Sequence, residues 1–369
     1  MLLALALYAS TAHANTPHCD LDLLYHNGRA HRLDRQGHAT ARRARGGWPG
    51  REREQEPPTI VTVRGPIPAE QLGVTLMHEH IFINLLREFR GDGLLNDPPL
   101  AARELTRFRE AGGATVIDVT NASLGRHPRT LQAISEQVGV NIVLGAGLYR
   151  HQYFDAAWVD RTSTDAMAEW IVRDLIVGIA DTGIRAGIIG EIASDEWITA
   201  QEERVFRAAA RAHKKTGVTI TTHAARWPIG LAQLDLLAEE GVDLQRVIVG
   251  HCDTVNAAEW TSPAQVMEYH EALARRGAYV QFDTIRRGGD HEIEIRLAYT
   301  RNLIQKGHAH QILLSHDVCL RSHLRAYGGG GYDFLLTDFL PRLQSSGIST
   351  ETIRVITVDN PRRALTGSK

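Results

Sequence analysis

From about residue 59 onwards, short apolar runs alternate with longer segments of helical periodicity. The short runs are rich in Val, Ile and Thr, as buried strands are. The longer segments repeat apolar residues every three to four positions, which predicts amphipathic helices. The predicted strands cover residues 74–82, 114–120, 141–148, 186–193, 218–224, 246–253, 278–284 and 311–318. The predicted helices cover residues 100–111, 166–181, 201–216, 230–240, 263–275 and 292–306.

A glycine follows each predicted helix, where a left-handed C-terminal cap favours this residue. The predicted caps are Gly112, Gly183, Gly217, Gly241, Gly277 and Gly307. Strands that alternate with helices require right-handed parallel crossovers. Eight strands in about 310 residues therefore predict an α/β fold, a (β/α)8 TIM barrel with parallel strands. An open doubly wound sheet is the alternative, although no GxGxxG pattern follows the first strand.

Composition excludes several classes of protein. Hydrophobic residues make up 43% of the chain and charged residues 23%, which is typical of a soluble globular protein. The formal net charge is -2, so no overall positive field favours nucleic acid or an anionic membrane. No apolar run reaches the roughly 18 residues that a membrane span requires. The three cysteines, Cys19, Cys252 and Cys319, are too scattered for a disulfide framework.

Residues 1–58 differ in composition from the predicted barrel domain, 59–369. Residues 1–10 are apolar, and Ala12-His13-Ala14 resembles a signal-peptidase site, but no Lys or Arg precedes the apolar run. Residues 15–58 are rich in Arg, Gly and His and have no helical or strand period. We interpret 1–58 as a leader with a disordered segment or as a misassigned start, with a basic arm for a polyanion as the alternative. A cytoplasmic location is favoured, and export by an N-terminal signal stays open.

Histidines and carboxylates recur where the predicted strands end, which is where barrel enzymes build their sites. His78 and His80 lie two residues apart, so they share one face of the first strand. Glu191 lies within an apolar run, and a buried carboxylate needs a cation or strong hydrogen-bond donors. The remaining strand ends carry His223, His251 and Asp317. Four imidazoles and two carboxylates predict a pair of divalent cations bridged by Glu191. Zinc is favoured, with manganese and cobalt as alternatives.

These strand ends also resemble a known family. The motifs are Gly73-Val74-Thr75-Leu76-Met77-His78-Glu79-His80, Gly190-Glu191, Thr222-His223, Gly250-His251 and Ser315-His316-Asp317. Together with the runs at 327–332 and 360–365, they resemble the phosphotriesterase family of the amidohydrolase superfamily from about residue 63 to 365. The resemblance implies that His78, His80 and Asp317 hold a buried ion and that His223 and His251 hold a more exposed one. Most members bridge the two ions with a carbamylated lysine, whereas Glu191 is similar to the phosphotriesterase homology branch.

Two departures narrow the predicted reaction. Thr254 and Thr284 occupy the positions at which organophosphate-degrading members carry an acid and a histidine. The lactonase branch carries an arginine just after strand seven, and Arg286 and Arg287 lie near this position without an established register to it. The sequence therefore favours neither efficient phosphotriester hydrolysis nor the hydrolysis of quorum-signal lactones. We therefore predict a binuclear hydrolase in which a metal-bridged hydroxide attacks an amide, ester or lactone carbonyl, or a phosphoester, with Asp317 and Glu191 as catalytic residues. The alternatives are a non-catalytic metal-binding barrel and a mononuclear-metal lyase or isomerase.

The loops at the predicted active face suggest the substrate. We expect the pocket to be lined by Tyr149, Arg150, Arg226 and Arg286. The arginines predict a small, anionic substrate, unless they form salt bridges with Asp155, Asp195 or Asp290 instead. Neither a nucleic-acid nor a membrane partner is expected, and a homodimer is left open. The run 328–331 lacks a phosphate-loop pattern and is interpreted as a mobile lid.

Several neighbours of the predicted ligands are assigned supporting roles. Glu79 and His316 are out of phase with the ligand face, so they are expected to bond behind the barrel wall. Asp253 and Asp283 are candidate acceptors for histidine ring N–H groups. Cys252 and Cys319 are expected to be small buried residues rather than thiolate ligands.

Overall fold

The computed structural model describes residues 57–257 and 262–367, and the backbone of residues 23–26 and 29–32. The chain divides into two units, Met1–Gln55 and Glu56–Lys369. In the first unit, β1 (Leu23–His26) and β2 (Arg29–Arg32) pair as an antiparallel hairpin. The predicted signal peptide, leader and basic arm otherwise lie outside the described residues.

The second unit contains a sheet of eight parallel strands that is nearly closed as a barrel, which confirms the predicted (β/α)8 fold. Each barrel strand pairs with the next one along the chain, as right-handed crossovers require. The barrel strands are β5 (Thr75–Glu79), β8 (Thr115–Asp118), β9 (Asn141–Ala146), β10 (Ile188–Ala193), β11 (Ile220–His223), β12 (Val247–Gly250), β13 (Tyr279–Phe282) and β14 (Ile312–Leu314). Two further hairpins are β3 (Thr59–Thr62) with β4 (Gly65–Pro68) and β6 (Ile83–Asn84) with β7 (Leu94–Leu95).

Helices surround the barrel, and each of the predicted helices is present with slightly different ends. The helices are α1 (Leu86–Phe89), α2 (Pro98–Glu110), α3 (Pro128–Val138), α4 (Ala156–Arg161), α5 (Thr164–Ile176), α6 (Ala200–Thr216), α7 (Gly230–Glu239), α8 (Pro263–Arg275), α9 (Asp290–Gln305), α10 (Leu340–Ser345), α11 (Thr350–Arg354) and α12 (Asn360–Thr366). Gly217 caps α6 in the left-handed region, as predicted. The cap predicted at Gly183 is wrong, because α5 already ends at Ile176. In the described part of the chain, no helix is both long and apolar enough to cross a bilayer.

The barrel is filled by an apolar layer below the strand ends. Its inward-facing members include Met77, Ile117, Val143, Ile188, Ile248 and Leu313. Ile60 of β3 and Ala364 of α12 belong to the same cluster. A separate, larger cluster packs the outer faces of the strands against the helices. Apolar packing therefore supports the strands from below, and the predicted metal ligands lie at their carboxyl ends.

A seam between β14 and β5 completes the barrel. The His78 N–H donates to Ser315 Oγ at 3.0 Å, and the Asp317 N–H donates to the His78 carbonyl at 3.2 Å. The carboxylate of Glu79 accepts from Ser315 Oγ and from the N–H groups of His316 and Val318, at 2.7 to 2.8 Å. The expected position of Glu79 behind the ligand face is thereby confirmed. Because the seam joins the residues that flank His78 and Asp317, it fixes these two side chains relative to each other.

Candidate metal centre

The six predicted side chains lie together at the carboxyl ends of five barrel strands. They form two groups in which one donor atom from each residue lies within 4.8 Å of the others. The first triad is His78, His80 and Asp317, and the second triad is Glu191, His223 and His251. All six residues are at least nine-tenths buried. A closed group of imidazole and carboxylate donors of this kind suits a divalent metal ion.

Glu191 lies between the two triads. Its Oε2 is 3.0 Å from His223 Nδ1 and 3.5 Å from His251 Nε2, while its Oε1 is 3.4 Å from His80 Nε2. Oε2 is also 3.5 Å from His78 Nε2. The carboxylate therefore faces one imidazole nitrogen of all four histidines, in the place where the sequence predicts a bridge.

Two irregular strands direct these side chains towards the centre. The register of β5 against β8 shifts between Leu76 and Glu79, and that of β10 shifts between Ile189 and Ile192. A bulge of this kind re-aims the side chains that follow it. At Gly190 the backbone has φ +128°, and a Cβ there would lie 2.2 Å from the Thr221 carbonyl oxygen. Glycine is thus the residue that allows the chain to turn Glu191 inward.

Electrostatics at the centre favour positive charge. Burial raises the pKa of Glu191, but His78 and the hydrogen bond from His223 outweigh burial and leave the pKa well below its usual range. Burial also raises the pKa of Asp317, but the Arg287 guanidinium and the hydrogen bond with His80 outweigh burial and leave this pKa well below its usual range. Burial lowers the pKa of His80, yet Asp317 and Glu191 bring it to about 10. These carboxylates are therefore ionised and attract cations.

Two of the four imidazoles, His78 and His223, are neutral and supply free electron pairs that a metal ion needs. Burial lowers the pKa of His78, and burial together with His251 lowers the pKa of His223 to about 4. Both ring nitrogens of His78 are buried and make no aligned hydrogen bond. Buried polar atoms without partners are rare in proteins, and a bound cation would satisfy His78 Nε2, which faces Glu191. The residues present therefore fit a divalent metal site.

Three of the histidine nitrogens that face away from the centre lie beside an acceptor. His80 Nδ1 lies 2.8 Å from Thr120 Oγ1, and His251 Nδ1 lies 2.7 Å from Asp283 Oδ1. Asp283 Oδ2 is also 3.2 Å from His78 Nδ1. Asp253 instead accepts from the Asp283 and Thr284 N–H groups and from Arg296, so it supports the loop rather than a histidine.

A cleft of about 790 Å³ opens above the two triads. Of the predicted pocket residues, Tyr149, Arg150 and Arg226 line it. The Tyr149 hydroxyl lies 3.2 Å from His223 Nδ1. Arg150 is paired with Glu88 at 2.6 Å and with Asp195 at 2.9 Å, which is the salt bridge considered as an alternative.

Arg226 has a different environment from Arg150. Its backbone lies in the left-handed region with φ +70°, and its N–H donates to Thr254 Oγ1 at 2.8 Å. Its exposed guanidinium makes no ion pair with any of the described residues. Arg226 is therefore available to an anion that enters the cleft.

The side chains of Arg286 and Arg287 have different surroundings. Arg286 does not line the cleft, because its guanidinium lies 5.3 Å from the Phe334 ring centre and donates to the Gly288 carbonyl. Arg287 lines the cleft and pairs with the Asp317 carboxylate. The sequence pattern missed this role of Arg287, since nothing in two adjacent arginines indicates which of them turns inward.

The other loop predictions have mixed outcomes. Thr284 Oγ1 donates to Asp253 Oδ2 at 2.6 Å. This bond links the end of strand seven to the loop that follows strand six. His316 accepts from the Leu335 N–H at 3.0 Å, behind the ligand face as expected. Cys252 is buried away from the cleft, but Cys319 is one of the residues that line it. The glycine run 328–331 lines a separate cavity of about 330 Å³ and is not among the residues that line the cleft, and its role as a lid stays a prediction.

Comparison with known proteins agrees with this site. A model of the phosphotriesterase family matches residues 58–365. The phosphotriesterase homology protein of Escherichia coli is 38% identical over 292 residues, which are 78% of this chain and 96% of the relative. The N-acetyltaurine hydrolase of Dictyostelium discoideum is 30% identical over 364 residues, covering 83% of this chain and 97% of the relative. Among solved structures, the lactonase of Listeria monocytogenes superposes with a TM-score of 0.76 at 28% identity, over 84% of this chain and 100% of that one.

Proposed function

The chain belongs to the phosphotriesterase family and is a metal-dependent hydrolase, and we propose that it holds two divalent ions and cleaves the amide, ester or lactone bond of a small anionic substrate. The observation that carries the proposal is the position of Glu191 between the first and second triads. The Glu191 carboxylate faces imidazoles of both triads, so it is suited to join two ions. Imidazole and carboxylate donors favour zinc, with manganese and cobalt as alternatives.

The chain's own groups then have defined tasks. Ions bound by the two triads would acidify a water molecule and polarise the carbonyl of the substrate. Asp317 is ionised and has its Oδ1 beside His80, towards the centre, so this oxygen can accept the proton of the attacking water and pass it to the leaving group. Burial, followed by Glu191, raises the pKa of Tyr149 well above its usual value, so its hydroxyl stays protonated. That hydroxyl can donate a hydrogen bond within the cleft.

Arg226 supports an anionic substrate. It is a guanidinium at the cleft without an ion pair among the described residues, whereas Arg150 and Arg287 are paired. The Dictyostelium relative is an N-acetyltaurine hydrolase by name, and N-acetyltaurine combines an amide with a negatively charged sulfonate. A substrate of this class would place its reacting carbonyl at the centre and its anion at Arg226.

Replacement of Arg226 should weaken the binding of anionic substrates but not that of neutral ones. Arg226→Gln removes one charge-assisted contact, so we expect KM for N-acetyltaurine to rise about 10-fold or more. The KM for the neutral amide N-acetylethanolamine should change by less than about 2-fold. Steady-state kinetics on both substrates measure the difference. Arg103→Gln on the exposed face of α2 is the matched control, and equal losses for both substrates would contradict an anion contact.

Metal content tests the proposed bridge. Plasma emission analysis should find about two divalent ions per wild-type chain and one or fewer in Glu191→Gln, since the amide cannot serve as an anionic bridge. Glu104→Gln is the matched control, because Glu104 is buried but accepts from the N–H groups of Arg325 and Ala326. Unchanged metal content in Glu191→Gln would argue against the bridge. One ion per wild-type chain would instead favour the mononuclear lyase or isomerase.

A further inference from the structure

Asp283 lies beside one histidine from each triad. It follows β13 directly and is completely buried. Its Oδ1 is 2.7 Å from His251 Nδ1, and its Oδ2 is 3.2 Å from His78 Nδ1. The ring centres of the two histidines are 4.7 Å apart. One carboxylate therefore faces two imidazoles that belong to different triads.

The contacts of Asp283 also determine which nitrogen of each histidine is free. A carboxylate accepts hydrogen bonds and cannot donate one, so Asp283 favours the ring proton on the nitrogen that faces it. His251 Nδ1 is hydrogen-bonded to Oδ1, and His78 Nδ1 lies near Oδ2 without an aligned hydrogen bond. With the ring proton on Nδ1, the neutral form of each imidazole offers its opposite nitrogen, His78 Nε2 or His251 Nε2, as the ligand atom. Both of these nitrogens lie 3.5 Å from Glu191 Oε2, on the inner side of the centre. Asp283 thus prepares two ligand atoms for metal ions at the same time.

Asp283 also has hydrogen-bond partners outside the two imidazole rings. Its two oxygens accept from the His251 backbone N–H at 3.1 and 3.0 Å, and Oδ2 also accepts from Gln281 Nε2 at 2.8 Å. Its own N–H donates to Asp253 Oδ1 at 3.1 Å. Movement of the carboxylate towards one histidine would therefore disturb the other.

The remaining two histidines do not share an outer partner. His80 Nδ1 lies beside Thr120 Oγ1, and His223 Nδ1 faces inward, beside Glu191 and the Tyr149 hydroxyl. Among the described residues, Asp283 is therefore the outer acceptor common to both triads.

We propose that Asp283 is a positioning residue that couples the two halves of the metal centre, because it holds one histidine of each triad in the form that binds a metal ion. The inference rests on the proposed two-ion function. An ion bound at one triad fixes its histidine and, through it, the carboxylate of Asp283. The second histidine then finds its acceptor already in place, so the second ion binds at least as tightly as the first.

The isosteric variant Asp283→Asn tests this coupling. Its oxygen can accept from one imidazole, but its amide donates a proton towards the other. That other histidine must then carry its proton on the nitrogen facing the centre, where it blocks a ligand atom. We expect the first ion to bind normally and the second to bind about 10-fold or more weakly. The probe is Mn²⁺ alone, added to the metal-free full-length chain and followed by calorimetry and by electron paramagnetic resonance.

The spectrum at one Mn²⁺ per chain distinguishes coupling from a general structural defect. Wild type should show mostly exchange-coupled pairs, whereas Asp283→Asn should show mostly isolated Mn²⁺. Glu104→Gln is the control, since Glu104 is also buried but accepts from the Arg325 and Ala326 N–H groups. It should retain the coupled spectrum.

Two different results would separate the failure of this inference from that of the proposed function. If wild type binds two ions and Asp283→Asn gives the same spectrum and affinities, the coupling role of Asp283 is refuted. If wild type never binds a second ion, the two-ion function fails and the inference fails with it. Calorimetry on wild type needs no variant, so misfolding of Asp283→Asn cannot hide the second result.

Discussion

Removal of the divalent ions should lower kcat/KM for N-acetyltaurine by about 10⁴-fold or more. The described side chains of the cleft include ionised carboxylates and neutral imidazoles, but these groups alone cannot bring the pKa of water from about 15.7 to near neutrality, as bound metal ions do. The measurement is initial rate before and after dialysis against a chelator, followed by titration with Zn²⁺, Mn²⁺ or Co²⁺. Activity should return as the second equivalent of metal is added.

The folded state of the metal-free chain is the necessary control. The seam formed by Glu79, Ser315 and the His316 N–H contains no atom of either triad's side chains, so the barrel should remain folded without metal. Circular dichroism and the unfolding midpoint check this point. Turnover that persists in a folded, metal-free sample would refute the metal-dependent mechanism.

The fold and the six-residue cluster can be predicted from the sequence because both depend on short-range patterns. Glycines such as Gly217 mark where helices end, and apolar runs mark the strands. A parallel barrel then brings every carboxyl end of a strand to the same face, so residues as distant as His78 and Asp317 must be neighbours. Their distance along the chain does not matter once the strand ends are identified.

The remaining features depend on contacts between distant residues. The bulge that turns His78 inward arises from the pairing of β5 with β8, and the sequence 74–80 contains no sign of it. Arg286 turns away because Phe334 packs against its guanidinium, which leaves Arg287 to face Asp317. The sequence predicts both Asp253 and Asp283 as acceptors for histidine N–H groups. Only Asp283 lies beside the histidines, because Arg296 of α9 binds Asp253. In each case a partner from another element decides the orientation of the side chain.

Asp317→Asn should lower kcat for amide hydrolysis by about 10³-fold to 10⁴-fold. Asp317 Oδ1 lies 3.2 Å from His80 Nε2, and its other oxygen is paired with Arg287, so one oxygen faces the centre. An asparagine preserves this shape, but it cannot accept the proton of the attacking water and then deliver it to the leaving amine. Steady-state kinetics on N-acetyltaurine with metal-saturated enzyme measure the loss, and metal analysis of the same samples corrects for any ion that the variant fails to hold.

The leaving group separates proton transfer from a simple role as a ligand. An amine must be protonated before it departs, whereas an activated phenol departs readily as its anion. The loss of activity caused by Asp317→Asn should therefore be about 10-fold to 100-fold smaller for p-nitrophenyl acetate than for N-acetyltaurine. Equal losses on both substrates would mean that Asp317 serves the centre only as a ligand, and the proton would then have to travel by another group of the cleft.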